Sequence, residues 1–149
     1  MSFEKMKIMI IEDDFIQAEN LKENLIQFGY DVIGPAHDSV KAMMLLKSSI
    51  PDIMIVDIKL ENSPLNGIEI VDHFKKISIF LYFFLQNYDQ FTRDIKKVNP
   101  NYFLTKPYYP HQIDTAIDFA LYNFMVDQVN QVFIWFVFSH RYDTRYSFL

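Results

Sequence analysis

Acidic side chains and one lysine stand at the ends of three apolar runs in this sequence. Glu12, Asp13 and Asp14 follow the first run directly, Asp57 closes "IMIVD", and Lys106 closes "YFLTK". A single acid after a strand more often caps a helix than binds a ligand. If the three runs are neighbouring strands, however, several carboxylates and one ammonium meet in one shallow pocket.

Such a pocket has a defined chemistry. Two carboxylates about 4 Å apart repel by roughly 4 kcal/mol at an effective dielectric constant of about 20. A hard divalent cation with oxygen ligands, Mg²⁺ or Mn²⁺, relieves this repulsion. A carboxylate such as Asp57, held beside a cation and a lysine, can attack a phosphoryl group in line and become an acyl phosphate. Lys106 and the metal would neutralise charge on the transferring oxygens.

The elements that must position these groups alternate along the chain. Short runs that are apolar throughout predict buried strands, and amphipathic stretches between them predict helices. The predicted strands cover 7–11, 30–34, 52–57, 77–85 and 101–105, and the predicted helices cover 14–28, 39–49, 68–76, 88–98 and 110–125. This order predicts a doubly wound α/β domain, a five-stranded parallel sheet with helices on both faces. Ligands of such sheets bind beyond the carboxyl ends of the strands.

Composition narrows the class of protein. The chain has 149 residues, half of them hydrophobic, which is enough for one domain with a proper core. The net charge of −5 argues against a dominant nucleic-acid surface, and the absence of cysteine excludes disulfides and thiolate metal sites. No signal peptide and no apolar run of membrane-spanning length is present, so we expect a cytoplasmic protein without membrane contact.

Four segments, "IIEDDF", "IMIVDIKL", "PLNGIEIV" and "YFLTKPY", occur in the order of a known family. With them the chain resembles the receiver domain of two-component response regulators over roughly residues 5 to 127. The resemblance implies a flavodoxin-like fold with strand order 2-1-3-4-5. It also implies roles for individual residues: phosphoacceptor Asp57, direct Mg²⁺ ligand Asp14, water-mediated neighbour Asp13, backbone-carbonyl ligand Lys59 and phosphate partner Lys106.

The resemblance also implies partners and a readout. The phosphoryl group would come from a sensor histidine kinase or a phosphotransfer protein. The signal would leave through the face formed by the fourth helix, the fifth strand and the fifth helix. The Lys106–Pro107 peptide bond is expected to be cis. Nucleic acid would be bound only if a missing output domain exists.

The chain departs from the family pattern at the switch positions. The family ends the fourth strand with a Ser or Thr, but counting back from Lys106 places Phe84 or a neighbour there, followed by Leu85. The switch aromatic is Phe103, which has no phenol group. Two hypotheses follow: the domain is phosphorylated and rearranges differently, which we favour, or it is a pseudo-receiver that binds a protein without control by phosphorylation.

The last residues do not follow the β-α rhythm. We divide the chain into a receiver domain at 1–128 and an aromatic tail at 129–149, with a continuous apolar run at 132–138. An exposed run of this kind must pack on something. It extends the last helix and pairs two protomers as a homodimer, forms a strand, or is the remnant of a linker to an output domain.

An enzyme hypothesis is weaker. Phosphohydrolases of the haloacid-dehalogenase type also use carboxylates at strand ends, Mg²⁺ and a lysine. They need a second aspartate two residues after the nucleophile, and Lys59 occupies that position here. We therefore expect no enzyme activity beyond self-phosphorylation and autodephosphorylation.

Overall fold

The structure, a computed structural model, describes residues 5–75, 81–87 and 102–129. Nine elements lie in these ranges, in the order β1 (Lys7–Ile11), α1 (Phe15–Gln27), β2 (Asp31–Ala36), α2 (Ser39–Ser48), β3 (Ile53–Asp57), α3 (Gly67–Lys75), β4 (Leu81–Asn87), β5 (Tyr102–Lys106) and α4 (Pro110–Val129). The helix predicted at 88–98 and nearly all of the predicted tail lie outside the described residues. Helix α4 therefore corresponds to the last of the predicted helices.

The strands form one sheet in which each pairing is parallel. Their order is β2-β1-β3-β4-β5. The predicted α/β architecture, a parallel sheet connected by helices, is confirmed. Since the chain leaves each parallel strand at the same edge, the residues that follow β1, β3 and β5 are brought together there. In the register, Asp57 lies opposite Leu85, and Lys106 lies opposite Asn87.

The sheet has an apolar core on each face. Strands β1 and β3 are buried along both faces, and their side chains alternate between the two cores. One core joins the sheet to α1 and α4 through Ile8, Ile10, Leu21, Leu25, Ile53, Ile55, Ile113, Ile117 and Leu121. The other joins it to α2 and α3 through Met9, Ile11, Ala42, Met54, Val56, Ile70, Val71 and Phe74. This double burial fixes the central strands and therefore their carboxyl ends.

Helix ends are set by capping residues near the site. The Asp14 carboxylate accepts a hydrogen bond of 2.9 Å from the backbone N–H of Gln17 and starts α1. Asp38 caps α2 in the same way, through the N–H of Lys41 at 2.8 Å. Gly29 has φ 92° and follows the end of α1, where a left-handed residue commonly ends a helix. None of the helices within the described ranges is both long enough and apolar enough to cross a membrane.

The end of β2 is irregular and lies beside the end of β1. Gly34 has φ 93°, the Gly34–Pro35 bond is cis, and the pairing with β1 shifts register between Met9 and Ile11. The sheet then resumes, because the N–H of Glu12 donates to the carbonyl of Ala36 at 2.9 Å. The first acid after β1 is therefore still anchored to the sheet.

Candidate functional site

The candidate site lies where β1, β3 and β5 end. Glu12 and Asp13 follow β1, Asp57 is the last residue of β3, and Lys106 is the last residue of β5. One carboxylate oxygen from each of the three acids lies within 4.8 Å of the others. Chain segments that are far apart in sequence thus deliver three negative groups and one positive group to one point.

The Lys106 ammonium connects two of the three acids. Its Nζ atom lies 2.6 Å from Oε2 of Glu12 and 2.7 Å from Oδ2 of Asp57. Burial alone would lower the pKa of this lysine, but its hydrogen bonds to Asp57 and Glu12 more than offset that and raise the pKa above its ordinary value. Lys106 therefore stays charged and offsets part of the repulsion between the carboxylates.

Glu12 is the most buried acid of the site, with 1% of its surface exposed. Burial raises its pKa to about 7; the hydrogen bond from Lys106 opposes this shift, and the charge of Asp57 adds to it. Its other oxygen, Oε1, accepts from the N–H of Asp14 at 3.1 Å. In the sequence, Glu12 was identified only as part of the acidic run and without a role of its own. Its position directly after Ile11, the last strand residue, was the signal that could have identified it.

Asp57 is buried and held from two sides. Its Oδ2 contacts Lys106, and its Oδ1 accepts a hydrogen bond of 3.2 Å from the N–H of Lys59. Behind it, α3 approaches so closely that a Cβ at Gly67 would collide with the carbonyl oxygen of Asp57. The N–H of Gly67 donates to the carbonyl of Ile58 at 3.0 Å, so the loop after β3 folds back onto the end of its own strand. This packing fixes the backbone of Asp57, and the contacts with Lys106 and the N–H of Lys59 fix its carboxylate.

Asp13 is half-buried and connects the turn after β1 to the loop after β3. Its Oδ2 accepts from the N–H of Glu61 at 2.9 Å. The same loop is held to the start of α2, where the N–H of Ser39 donates to Oγ of Ser63 at 2.9 Å. The carboxylate of Asp13 therefore reaches the cluster from a fixed position.

The structure does not bring Asp14 into the cluster. Its exposed carboxylate caps α1, and the hydrogen bond from the N–H of Gln17 lowers its pKa. The group of three carboxylates found among the described residues consists of Glu12, Asp13 and Asp57. As a helix cap, Asp14 directs its oxygens at the first-turn N–H groups. Its role as the direct metal ligand stays a prediction, and the acids that could hold a metal together in this geometry are Glu12, Asp13 and Asp57.

The two predicted switch positions face each other in the sheet register. Phe84 lies opposite Phe103 on one side and opposite Val56 on the other. The residue level with Asp57 is Leu85, one position further along β4. Phe103 packs against the core beneath α2 and α3. Since neither Phe84 nor Leu85 carries a hydroxyl group, the departure from the family pattern holds at either position; the switch role itself stays a prediction.

The donor set fits a hard divalent cation. Three carboxylates around one point offer oxygen ligands alone, which Mg²⁺ prefers, and Mg²⁺ binds through few carboxylates while keeping several waters. The backbone of Lys59 lies beside the cluster, since its N–H donates to Asp57. The proposed ligand role of its carbonyl stays a prediction. The Lys106–Pro107 bond is cis, as predicted.

Comparison with known proteins agrees with this geometry. The family model described as "Response regulator receiver domain" matches residues 8–118. The chain therefore belongs to the response regulator receiver domain family. Its α/β structure is flavodoxin-like and similar to the signal receiver domain of a modulated diguanylate cyclase from Desulfovibrio desulfuricans, with a TM-score of 0.73, 27% identity, and coverage of 83% of this chain and 99% of that one.

Curated relatives are response regulators. Response regulator MprA of Mycobacterium avium is 34% identical over 65 residues, which are 44% of this chain and 27% of MprA. Sensory transduction protein BceR of Halalkalibacterium halodurans is 43% identical over 54 residues, or 36% of this chain and 23% of BceR. The matched part spans about a quarter of each of these relatives.

Proposed function

We propose that the chain receives a phosphoryl group on Asp57 in a Mg²⁺-dependent reaction, from a sensor histidine kinase or a phosphotransfer protein of the cytoplasm. The observation that carries the proposal is the contact of 2.7 Å between Nζ of Lys106 and Oδ2 of Asp57, inside a group of three carboxylates. A buried carboxylate with a cation on one side and acidic ligands on the other has the arrangement that phosphoryl acceptance requires.

Each residue has a separate part in this reaction. A carboxylate oxygen of Asp57 forms the new bond to phosphorus as the bond between phosphorus and the donor nitrogen breaks. Lys106, already hydrogen-bonded to Asp57, can turn its ammonium to an oxygen of the incoming phosphoryl group. Glu12, Asp13 and Asp57 would hold Mg²⁺, with the Lys59 carbonyl as a further ligand; the metal supplies charge neutralisation for the transferring oxygens.

The readout would begin at Lys106 and pass along β5. Phe103 lies three residues before Lys106 on the same strand, and it packs into the core under α2 and α3. We expect a change in the contacts of Lys106 to pass along β5, which is part of the predicted output face together with α4. Without a hydroxyl at Phe84 or Leu85, this change would depend on Lys106 rather than on a rotating Ser or Thr. The chain's own chemistry would end with acceptance and loss of the phosphoryl group.

Intact mass spectrometry tests the proposal. The purified chain is incubated with a small acyl phosphate donor in Mg²⁺ or in excess chelator. We expect one phosphoryl adduct in Mg²⁺, none in chelator, and none in Asp57→Asn. The matched control is Asp31→Asn, an exposed aspartate at the opposite end of the sheet, which should keep the adduct.

Other results contradict the proposal. An adduct that survives in Asp57→Asn would place the acceptor elsewhere. Release of many equivalents of phosphate per protein would indicate a hydrolase. A wild-type chain that reacts with neither a small donor nor a histidine kinase would indicate a protein-binding module.

A further inference from the structure

His37 contacts both ends of the turn that carries the acidic residues. His37 directly follows β2. The turn that connects β1 to α1 is defined here as residues 12–15 and called the acidic turn; its last residue, Phe15, is also the first residue of α1. We propose that His37 is a positioning residue for the metal ligands Glu12 and Asp13. The proposal rests on the proposed function, since it concerns the same acidic site.

The first contact is a hydrogen bond to the backbone of Glu12. Nδ1 of His37 lies 2.8 Å from the carbonyl oxygen of Glu12. A carbonyl oxygen only accepts, so the proton of this bond is on Nδ1. The N–H of Glu12 in turn donates to the carbonyl of Ala36 at 2.9 Å. Two consecutive residues at the end of β2 therefore hold both backbone polar groups of Glu12.

The second contact is with the residue that ends the acidic turn. The imidazole of His37 lies against the ring of Phe15, with 5.6 Å between centroids and 37° between the ring planes. Phe15 is the first residue of α1 and is 66% exposed, so burial in a core does not explain its position. One imidazole thus fixes the residues immediately before and immediately after Asp13 and Asp14.

This brace complements the contacts that hold the acids themselves. The N–H of Glu61 fixes the carboxylate of Asp13, and Lys106 fixes that of Glu12. These contacts are made by the carboxylates that would also hold the cation, whereas His37 acts on the backbone carbonyl of Glu12. Partners that orient ligands without touching the metal typically change metal affinity by 10–100-fold when they are removed.

Two substitutions of similar size separate the hydrogen bond from mere packing. In His37→Asn the amide nitrogen is as many bonds from Cβ as Nδ1 is, so it can donate to the Glu12 carbonyl. In His37→Leu the side chain has nearly the same shape as asparagine but carries no hydrogen-bond donor. The readouts are the Mg²⁺ dissociation constant of the full chain by calorimetry, and the melting temperature in chelator.

We expect His37→Leu to weaken Mg²⁺ binding by about tenfold. His37→Asn keeps the hydrogen bond and loses only the ring contact with Phe15, so it should weaken binding no more than Phe15→Ala does. Phe15→Ala removes only the ring contact from an exposed side chain and should weaken binding in the same direction, to a smaller extent. If His37→Leu does not fold, His37→Gln replaces it, because the longer amide places its nitrogen at Nε2 rather than at Nδ1.

Equal Mg²⁺ affinity in the wild type and all variants would overturn the inference alone. Equal loss in the Asn and Leu variants, parallel to a loss of melting temperature, would also overturn it, because that result marks a merely structural role. A wild-type chain that does not bind Mg²⁺ would overturn the proposed function, and the inference would fall with it.

Discussion

The Lys106 ammonium lies 2.7 Å from a carboxylate oxygen of Asp57, although the two residues are 49 positions apart in the sequence. Both are the last residues of their strands, and the parallel sheet brings those ends to one edge. The same ammonium contacts Glu12 at 2.6 Å, so one positive charge serves two buried acids. The Lys106 charge reduces the repulsion between the carboxylates when no metal is bound. The same ammonium can exchange its hydrogen bond to Asp57 for one to a phosphoryl oxygen.

Loss of the lysine charge should affect both stability and chemistry. Lys106→Met leaves Glu12 and Asp57 buried without their common partner, which costs about 3 kcal/mol of unfolding free energy, as for other broken buried ion pairs. Urea unfolding in chelator measures this loss, and the rate of adduct formation should fall at least about tenfold. The control is Lys59→Met, whose side chain is 59% exposed, and which should leave both quantities nearly unchanged. A Lys106→Met chain as stable and as reactive as the wild type would contradict this role.

The raised pKa of Glu12 predicts a dependence of stability on pH. The folded chain binds a proton on Glu12 up to about pH 7, whereas the unfolded chain releases it near the ordinary value of 4.5. The folded state therefore holds more protons than the unfolded state in this pH range. The contribution of Glu12 to stability accordingly falls as pH rises from 4.5 to about 7. One proton changes the free energy of unfolding by at most about 1.4 kcal/mol per pH unit.

Glu12→Gln isolates this effect, because it removes the ionisable group and keeps the length and shape of the side chain. The free energy of unfolding is measured by denaturant in chelator at several pH values between 5 and 7.5. As pH rises, the wild type should become progressively less stable relative to Glu12→Gln. A constant difference would show that Glu12 does not carry a shifted pKa. Because metal binding needs the ionised carboxylate, Mg²⁺ affinity of the wild type should increase over the same range.

Asp13 and Asp14 should respond differently to substitution. Asp14→Ala removes the cap of α1 and should cost about 1 kcal/mol of stability, with a small change in Mg²⁺ affinity. Asp14→Asn keeps a good cap and should cost little. Asp13→Asn should weaken Mg²⁺ binding at least about tenfold. Calorimetric titration and unfolding curves of the three variants distinguish a helix-capping role from a metal-binding role. A strong loss of Mg²⁺ binding in Asp14→Asn would show that Asp14 is a metal ligand.

Much of the site was predictable from the sequence because of the sheet. Apolar runs too uniform for one-sided burial indicate central parallel strands, and the carboxyl ends of such strands must meet. This argument alone brings Asp57 and Lys106 together. It does not resolve single residues in the turn after β1. The pattern Asp14-x-x-Gln17, an acid followed three residues later by Gln, is a capping signal that could have separated Asp14 from the acids of the cluster.

Two other features of the site could not be predicted from the sequence. The level of Asp57 along β4 depends on strand register, and a run such as "LYFFLQ" has little polar punctuation from which to count; Leu85 rather than Phe84 is level with Asp57. The contact between His37 and Glu12 joins residues 25 positions apart through an irregular strand end at Gly34 and Pro35. No periodic pattern encodes such a contact.

The most direct test of the account is the effect of Mg²⁺ on thermal stability at constant ionic strength. Millimolar Mg²⁺ should raise the melting temperature of the wild-type chain, because the ion binds the folded cluster of Glu12, Asp13 and Asp57 and not the open chain. Na⁺ at matched ionic strength should not, and the increase should be lost in Asp13→Asn. A melting temperature that Mg²⁺ leaves unchanged, or raises equally in Asp13→Asn, would contradict the claim that these carboxylates form a cation site.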